Sequence, residues 1–296
     1  MNNLTVLTSP IKLSILLPSY NYKDGLMRIL RHLEPCIQDD IEILIGDNST
    51  NTEISEAIAP WLEKYPNKIR YSWNNPIKTP IENWNYLVDE STGEYVWMIH
   101  HDEYPESHHI VKELLKSLKV NPSVDIFLLH CHLTFAGGFF SRSHFNVKIR
   151  DWLIKRNPFY LLRRNVIGPT GILVARRSLY PRFDLKLIWL VDVDMYVRLF
   201  SKTSKWISCP HIAIYSEQER TTSLTRGLGG SIKNIRVEEL GYLQKKMHSH
   251  DIWIGPYRGE GLTRKLLRSI ETMIWYTYRF LTKTIASASY RLSLKK

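Results

Sequence analysis

The sequence predicts an α/β fold: a mainly parallel sheet flanked by helices, with a helical extension at the C-terminal end. Two patterns predict it. Short apolar runs alternate with stretches of about ten residues whose apolar positions recur at helical spacing, as in βαβ units. Several apolar runs then end in polar residues, as strands do where a parallel sheet opens on a ligand site. A third feature, the basic amphipathic end of the chain, sets the extension apart.

Leu13 to Leu17 is an apolar run closed by Pro18, and it reads as a buried strand. Leu26, Ile29, Leu30 and Leu33 put a helix over residues 25–33. Ile41 to Ile45 is a second strand, running into Gly46-Asp47-Asn48-Ser49-Thr50. Glu53 to Tyr65 is a helix stopped at Pro66. Lys68 to Trp73 is a third strand, Ile81 to Asp89 a helix, Glu94 to Ile99 a fourth strand and Val124 to His130 a fifth. In the second half, Ile172 to Ala175 reads as a strand after the loop Gly168-Pro169-Thr170-Gly171. Met195, Val197, Leu199 and Phe200 mark the buried face of a later helix.

The chain has 296 residues, 44% hydrophobic and 23% charged, which allows a large domain with an appendage and excludes wholesale disorder. Forty Lys and Arg against 29 Asp and Glu give a net charge of +11, which favours an anionic partner. Gly261 to Lys296 carries eight basic residues against Glu271 alone, so this tail holds +7 of the total. Leu266, Leu267, Ile270, Met273, Ile274, Trp275 and Tyr278 fall near helical spacing among them. Such a helix over residues 263–290 suits a membrane surface, or packing on the domain or a partner subunit, and both readings stand. A nucleic-acid groove is disfavoured, because the rest of the chain is only mildly basic and has no binding motif. Cys36, Cys131 and Cys209 make neither a disulfide framework nor a Cys-x-x-Cys metal pair, which points to a reducing cytoplasm. No apolar run reaches the ~20 residues of a membrane span. No Gly-x-Gly-x-x-Gly follows the first strand, which disfavours a dinucleotide-dependent dehydrogenase.

Three strand ends carry the polar residues of a binding edge: Pro18-Ser19-Tyr20-Asn21, Gly46 to Thr50, and His100-His101-Asp102-Glu103. Turn formation and helix capping by Asn21, Asp24 and Asp47 is the plainer reading, and both can hold together. In this order, "LSILLPSYN", "IEILIGDNST" and "GEYVWMIHHDE" resemble the inverting, GT-A-type glycosyltransferases of family 2, over about Lys12 to Gln218. The resemblance implies a Rossmann-like GT-A catalytic domain over residues 1–228, its nucleotide-sugar half at about 1–103 and its acceptor half at about 104–228. Residues 229–296 form the basic extension. It also implies a nucleotide-sugar donor, usually a UDP-sugar, and a divalent cation, Mn2+ or Mg2+. The acceptor would be a glycan or lipid-linked molecule in bacterial surface polysaccharide synthesis. The protein would be cytoplasmic, or peripheral on the inner face of the membrane.

By the same resemblance, the donor site draws on Pro18, Ser19, Tyr20, Asn21, Asp47, Asn85, His100, His101 and Asp102. Asp102 takes the last position of the family's Asp-x-Asp motif and Glu103 the acid after it, so these two are the expected metal ligands. A hard dication at a diphosphate needs oxygen ligands. His100 stands where the first Asp belongs. Trp84 replaces the basic residue that precedes Asn85, either stacking on a base or sugar or lying buried. "LIWLVDVDMYVRLF" matches the pattern Glu-Asp-x-Asp-Leu-x-x-Arg-Leu with Val191 for Glu. The catalytic base falls on Asp192, with Asp194 as its positioning neighbour and Arg198 as a partner for either. Both aspartates also suit a helix N-terminus. Gln218 falls where relatives carry a His, with Arg220 and Arg226 as phosphate clamps and "TRGLGGS" as a lid. Seven histidines from His100 to His144 raise the question of zinc, but only Cys131 lies among them, so a structural zinc site is not expected. The alternative function is a non-catalytic sugar-nucleotide-binding or scaffold protein, which the His100 replacement keeps open.

Overall fold

The computed structural model describes residues 11–37, 40–135, 140–218 and 232–248, and six positions between 273 and 284. In chain order the elements are β1 (Leu13–Ser19), α1 (Lys23–Leu33), β2 (Ile41–Asp47), α2 (Glu53–Lys64), β3 (Ile69–Trp73), α3 (Pro80–Glu90), β4 (Tyr95–Met98) and β5 (Glu103–Pro105). There follow α4 (His109–Val120), β6 (Ile126–Phe135), β7 (Phe140–Ser143), α5 (Val147–Arg156), α6 (Tyr160–Arg163), β8 (Leu173–Arg176), α7 (Val191–Lys202), β9 (Trp206–Glu217) and α8 (Ile232–His248).

The strand order is β3-β2-β1-β4-β8-β6-β9-β5, with β7 paired to β6. β1 to β4 form the expected parallel part. All seven residues of β1 and all seven of β2 are buried, as strands covered on both faces must be. From β8 onward the pairing changes direction: β8 runs antiparallel to β4 and to β6, and β6 antiparallel to β7. The sheet is therefore mixed, a mainly parallel first half continued by antiparallel strands. The expected fifth strand is β6; it extends to Phe135, and β8 lies between it and β4.

The register of β1 positions the site. It pairs Leu13 with Ile41 and runs level to Ser19 opposite Asp47. On the other side it pairs Leu13 with Tyr95 and Leu16 with Met98. The carboxyl ends of β1, β2 and β4 thus open on one edge, with His100 just past the last residue of β4. α1 buries Leu26, Met27, Ile29, Leu30 and Leu33. α3 starts at a capping box, in which Glu82 N–H donates to Thr79 and Thr79 N–H to Glu82, with Pro80 in the first turn. It packs so close to β2 that a Cβ on Gly46 would lie 2.2 Å from Asn83 Oδ1. Asn83 also donates to the Gly46 carbonyl at 2.8 Å.

Contacts group the chain into two units. One is the chain up to Leu129 with Thr170–Leu185 and Lys205–Ile214, and it holds the parallel strands, β5, β8 and α1 to α4. The other is His130–Pro169, Lys186–Ser204 and the chain from Tyr215, and it holds β7 and α5 to α8. Among the described residues no helix is long and apolar enough to cross a membrane. The helix expected over 263–290 lies outside the described residues except for the six positions noted, which are helical. Arg220, Arg226 and the "TRGLGGS" segment also lie outside them.

At the opposite end of the parallel strands, Glu42 ties three segments together. Its carboxylate accepts from Ser14 Oγ (2.6 Å), Thr92 N–H (2.6 Å), Thr92 Oγ1 (2.9 Å) and Arg70 Nη2 (3.1 Å). Burial alone would raise this carboxyl, but those donors and the Arg70 charge hold it below the usual range. Glu42→Ala leaves the Thr92 amide and the two hydroxyls without this acceptor. Of these donors only the Ser14 hydroxyl belongs to a buried residue, so at about 1–3 kcal/mol per abandoned buried donor we expect a loss of about 1–3 kcal/mol in urea-denaturation stability.

Candidate active site

In the first unit, the loops after β1 and β2 are locked together. Asn21 adopts φ 45°, a left-handed conformation that Asn tolerates. Its N–H donates to Ser49 Oγ at 2.9 Å, its Oδ1 accepts from Thr50 N–H at 3.0 Å, and its Nδ2 donates to Thr50 Oγ1 at 3.1 Å. Asn48 N–H donates to the Ser19 carbonyl at 3.0 Å. Pro18, opposite Gly46, is buried in the register. Asp47 is fully buried, and both its oxygens are engaged: Oδ1 accepts from Ser49 N–H at 2.8 Å and Oδ2 from Tyr71 Oη at 2.8 Å. Two large aromatic side chains are exposed nearby, Tyr20 in the first of these loops and Trp73 at the end of β3. Tyr20 is 46% exposed, and so is Trp73, whose indole donates to the Ser49 carbonyl at 3.1 Å.

At the end of β4, His100 N–H donates to Glu103 Oε2 at 3.0 Å, and Glu103 N–H returns to the His100 carbonyl at 2.9 Å. Glu103 is thereby folded inward, 3% exposed. Trp84 of α3 is buried, edge-on to His100 with ring centroids 4.7 Å apart and to Phe183 at 5.3 Å. Of its two readings, the buried one holds. Burial, with His101 nearby, pushes the His100 imidazole down to about 3, so it is neutral at pH 7. His101 meets the Tyr22 ring edge-on at 5.6 Å. Asn85 is buried and spent on one partner: its Nδ2 donates to the Phe183 carbonyl (2.9 Å) and its Oδ1 accepts the Phe183 N–H (2.7 Å). It fastens α3 to the segment after β8.

Among the described residues of this unit, the buried side-chain atoms with no hydrogen-bond partner include Ser19 Oγ, His100 Nε2 and Tyr180 Oη. Ser19 and His100 close the adjacent strands β1 and β4. Burial, and then the Glu103 charge, push the Tyr180 hydroxyl up. Unpaired buried polar groups are costly and mark places where a polar ligand completes the bonding. Among the described residues no three His, Cys, Asp or Glu side chains converge as a ready metal cage. A dication that shares its shell with diphosphate oxygens and water asks for only one or two protein ligands. The partly exposed Asp102 and the orphaned His100 Nε2 fit that donor set, whereas Glu103 already has one oxygen on the His100 amide.

The second unit holds the two aspartates in the first turn of α7, and their surroundings differ. Asp194 is fully buried between cations: Arg198 donates from Nε (2.8 Å) and Nη2 (2.5 Å), and Lys246 of α8 from Nζ (3.0 Å). Asp192 receives neutral donors only in the bonds described: Asn165 Nδ2 at 2.8 Å and Val193 N–H at 2.8 Å. Burial pushes its carboxyl up to about 7, against those bonds and with a contribution from the Glu239 charge. Asn165 is held in turn. Its Oδ1 accepts the N–H of Ile167 (3.1 Å) and Gly168 (2.8 Å), and Gly168 takes φ 115°, where a side chain would be strained. Tyr196 Oη donates to the Gly168 carbonyl at 3.1 Å. The 165–168 turn is thus built around the Asp192 carboxylate.

Sequence reasoning missed Asn165, Tyr180, Trp73 and Glu239. An Asn three residues before a Gly-Pro is a turn signal that was there to be read. The other three have no local signature.

The Asp192 carboxyl has a consequence for folding. Its folded value lies above that of a free aspartate, so the folded state binds the proton more tightly than the unfolded one. Stability is then fully present at low pH and falls as pH rises from about 4 to about 7. Asp192→Asn has no proton to lose there. We expect the variant to be more stable than the parent above pH 7, by up to a few kcal/mol, with the gap closing toward pH 4. Urea denaturation across that range measures it.

The family model described as glycosyl transferase family 2 matches residues 14–189. The abequosyltransferase RfbV of Salmonella typhimurium is 30% identical over 93 residues, which cover 31% of this chain and 28% of that protein's length. The structure of S. aureus TarS 1-349 in complex with UDP-GlcNAc superposes with a TM-score of 0.53 at 17% identity, covering 72% of this chain and 60% of that one. The mannosyltransferase PcManGT from Pyrobaculum calidifontis, in complex with GDP-Man and Mn2+, gives a TM-score of 0.54 at 14% identity, covering 98% of this chain and 89% of that one. The fold is that of the GT-A-like glycosyltransferases, and the chain belongs to glycosyl transferase family 2.

Proposed function

We propose that the protein is an inverting glycosyltransferase. It moves a sugar from a nucleoside-diphosphate donor, UDP-sugars first among them, to a hydroxyl of a glycan or lipid-linked acceptor in bacterial surface polysaccharide synthesis. The observation that carries this reading is the contrast between the two aspartates of α7. One is neutralised by two cations, and the other is held near the operating pH without one, where a general base is most effective.

The donor is assigned to the edge where β1, β2 and β4 end. Tyr20 and Trp73 offer exposed aromatic faces to a base, and Ser19 Oγ, His100 Nε2 and Tyr180 Oη offer unspent polar groups to ribose and phosphate. TarS with UDP-GlcNAc and the mannosyltransferase with GDP-Man and Mn2+ support a nucleotide sugar and a divalent cation. Asp102, with His100 two residues before it, would hold that cation, which when bound neutralises charge on the departing diphosphate. Asp192 accepts the proton of the acceptor hydroxyl as that oxygen bonds to the anomeric carbon. The bond to the diphosphate breaks on the opposite side, its electron pair leaving with the nucleotide. Asn165 orients the carboxylate, while Asp194 anchors the helix. The basic tail is assigned to the inner membrane face, where a lipid-linked acceptor would be met.

The test is nucleoside-diphosphate release from a panel of UDP-, GDP- and dTDP-sugars with Mn2+ and acceptor. Asp192→Asn should lower turnover by ~10²–10⁴-fold and leave donor affinity nearly unchanged. An Asp192→Asn protein with full turnover contradicts the assignment. Asp194→Asn should show its main effect in a lower melting temperature, because Arg198 and Lys246 lose their shared anion.

A further inference from the structure

α8 lies beyond the residues matched by the family model, yet two of its side chains reach α7. Glu239, 7% exposed, accepts from three consecutive backbone amides just before α7. Ile188 N–H donates to Oε1 at 2.5 Å, Trp189 N–H to both oxygens at 3.1 Å, and Leu190 N–H to Oε2 at 2.7 Å. About two turns further along α8, Lys246 holds Asp194. α8 therefore grips α7 on both sides of Asp192 in sequence.

The electrostatics of this grip matter as much as its geometry. A carboxylate in the first turn of a helix is ordinarily stabilised by the helix dipole and by free amides, which makes it a weak proton acceptor. Here the three amides leading into α7 are taken by Glu239, whose negative charge opposes the dipole there, while the Val193 N–H of the first turn still donates to Asp192. We infer that Glu239 is a positioning residue for the transfer reaction: it fixes the turn that presents Asp192 and keeps that carboxylate a strong proton acceptor. This rests on the reading of Asp192 as the base. The groups that otherwise act on Asp192 are Asn165 and the Val193 N–H, which donate to it, while the charge of Asp194, two residues on, is balanced by Arg198 and Lys246. Tyr196 and His144 act on the 165–168 turn, through the carbonyls of Gly168 and Asn165. The Glu239 charge is among the causes that raise the Asp192 carboxyl, after burial.

The test needs no ligand. In protein labelled with carboxyl-13C aspartate, the Asp192 resonance is assigned by its loss in Asp192→Asn and titrated from pH 4 to 9. Glu239→Gln keeps the side-chain length and removes the charge, and should lower the Asp192 midpoint by about half a pH unit or more. A purely structural contact would not move it. A raised midpoint in the parent protein that is the same in Glu239→Gln overturns the role of Glu239 and leaves the base reading intact. A parent midpoint near 4 overturns both. If Glu239→Gln does not fold, Glu239→Asp withdraws the carboxylate by one methylene. It should lower the midpoint in the same direction, and an unchanged value there overturns the inference.

Discussion

The parallel register of β1 between β2 and β4 is the constraint on which the rest depends. It brings Ser19 level with Asp47 and sets the end of β4 alongside. A slip of one residue would turn every side chain of β1 to the opposite face. The register is pinned at both ends. Glu42 joins Ser14, Thr92 and Arg70 at the amino ends, and Asn21 joins Ser49 and Thr50 at the carboxyl ends. Gly46 admits Asn83, so that α3 can carry Trp84 onto His100. The neutral, desolvated imidazole at this edge follows from strand pairing and helix approach rather than from any property of the tetrapeptide His-His-Asp-Glu.

A second principle organises α7. Asp192 and Asp194 are two residues apart and chemically alike, yet one is the shared anion of Arg198 and Lys246 and the other is held by an amide and its own helix. Environment separates carboxylates into roles by moving their proton affinities apart. Both environments depend on segments remote in sequence: the 165–168 turn before α7, and α8 after it.

Much of this was legible in the sequence, and the boundary of legibility has physical causes. β1, β2 and β4 were readable because strands buried on both faces must be continuously apolar. The ordered set of strand-end motifs, and the Asp-x-Asp on a helical repeat, pointed to the family. The direction of β8 was not readable, because nothing local fixes how a strand pairs after a long excursion of the chain. Trp84 stayed undecided until its contacts with His100 and Phe183 were known, since a helix-face Trp looks the same in sequence whether it stacks on a ligand or on the core. Asp47 and Asn85 stand at motif positions, yet their polar atoms are spent on Ser49, Tyr71 and Phe183. Hydrogen-bond occupancy is a three-dimensional property that residue type does not disclose. Glu239 was invisible for the same reason: its acceptors serve three amides about fifty residues earlier.

The central claim is that the carboxyl ends of β1, β2 and β4 form the donor site. A crystal structure of the full chain with UDP and Mn2+ tests it most directly. The nucleotide is expected at that edge, with its base against Tyr20 and Trp73 and its diphosphate beside His100 and Asp102. A nucleotide bound elsewhere, with Ser19 Oγ and His100 Nε2 still unpartnered, would contradict it.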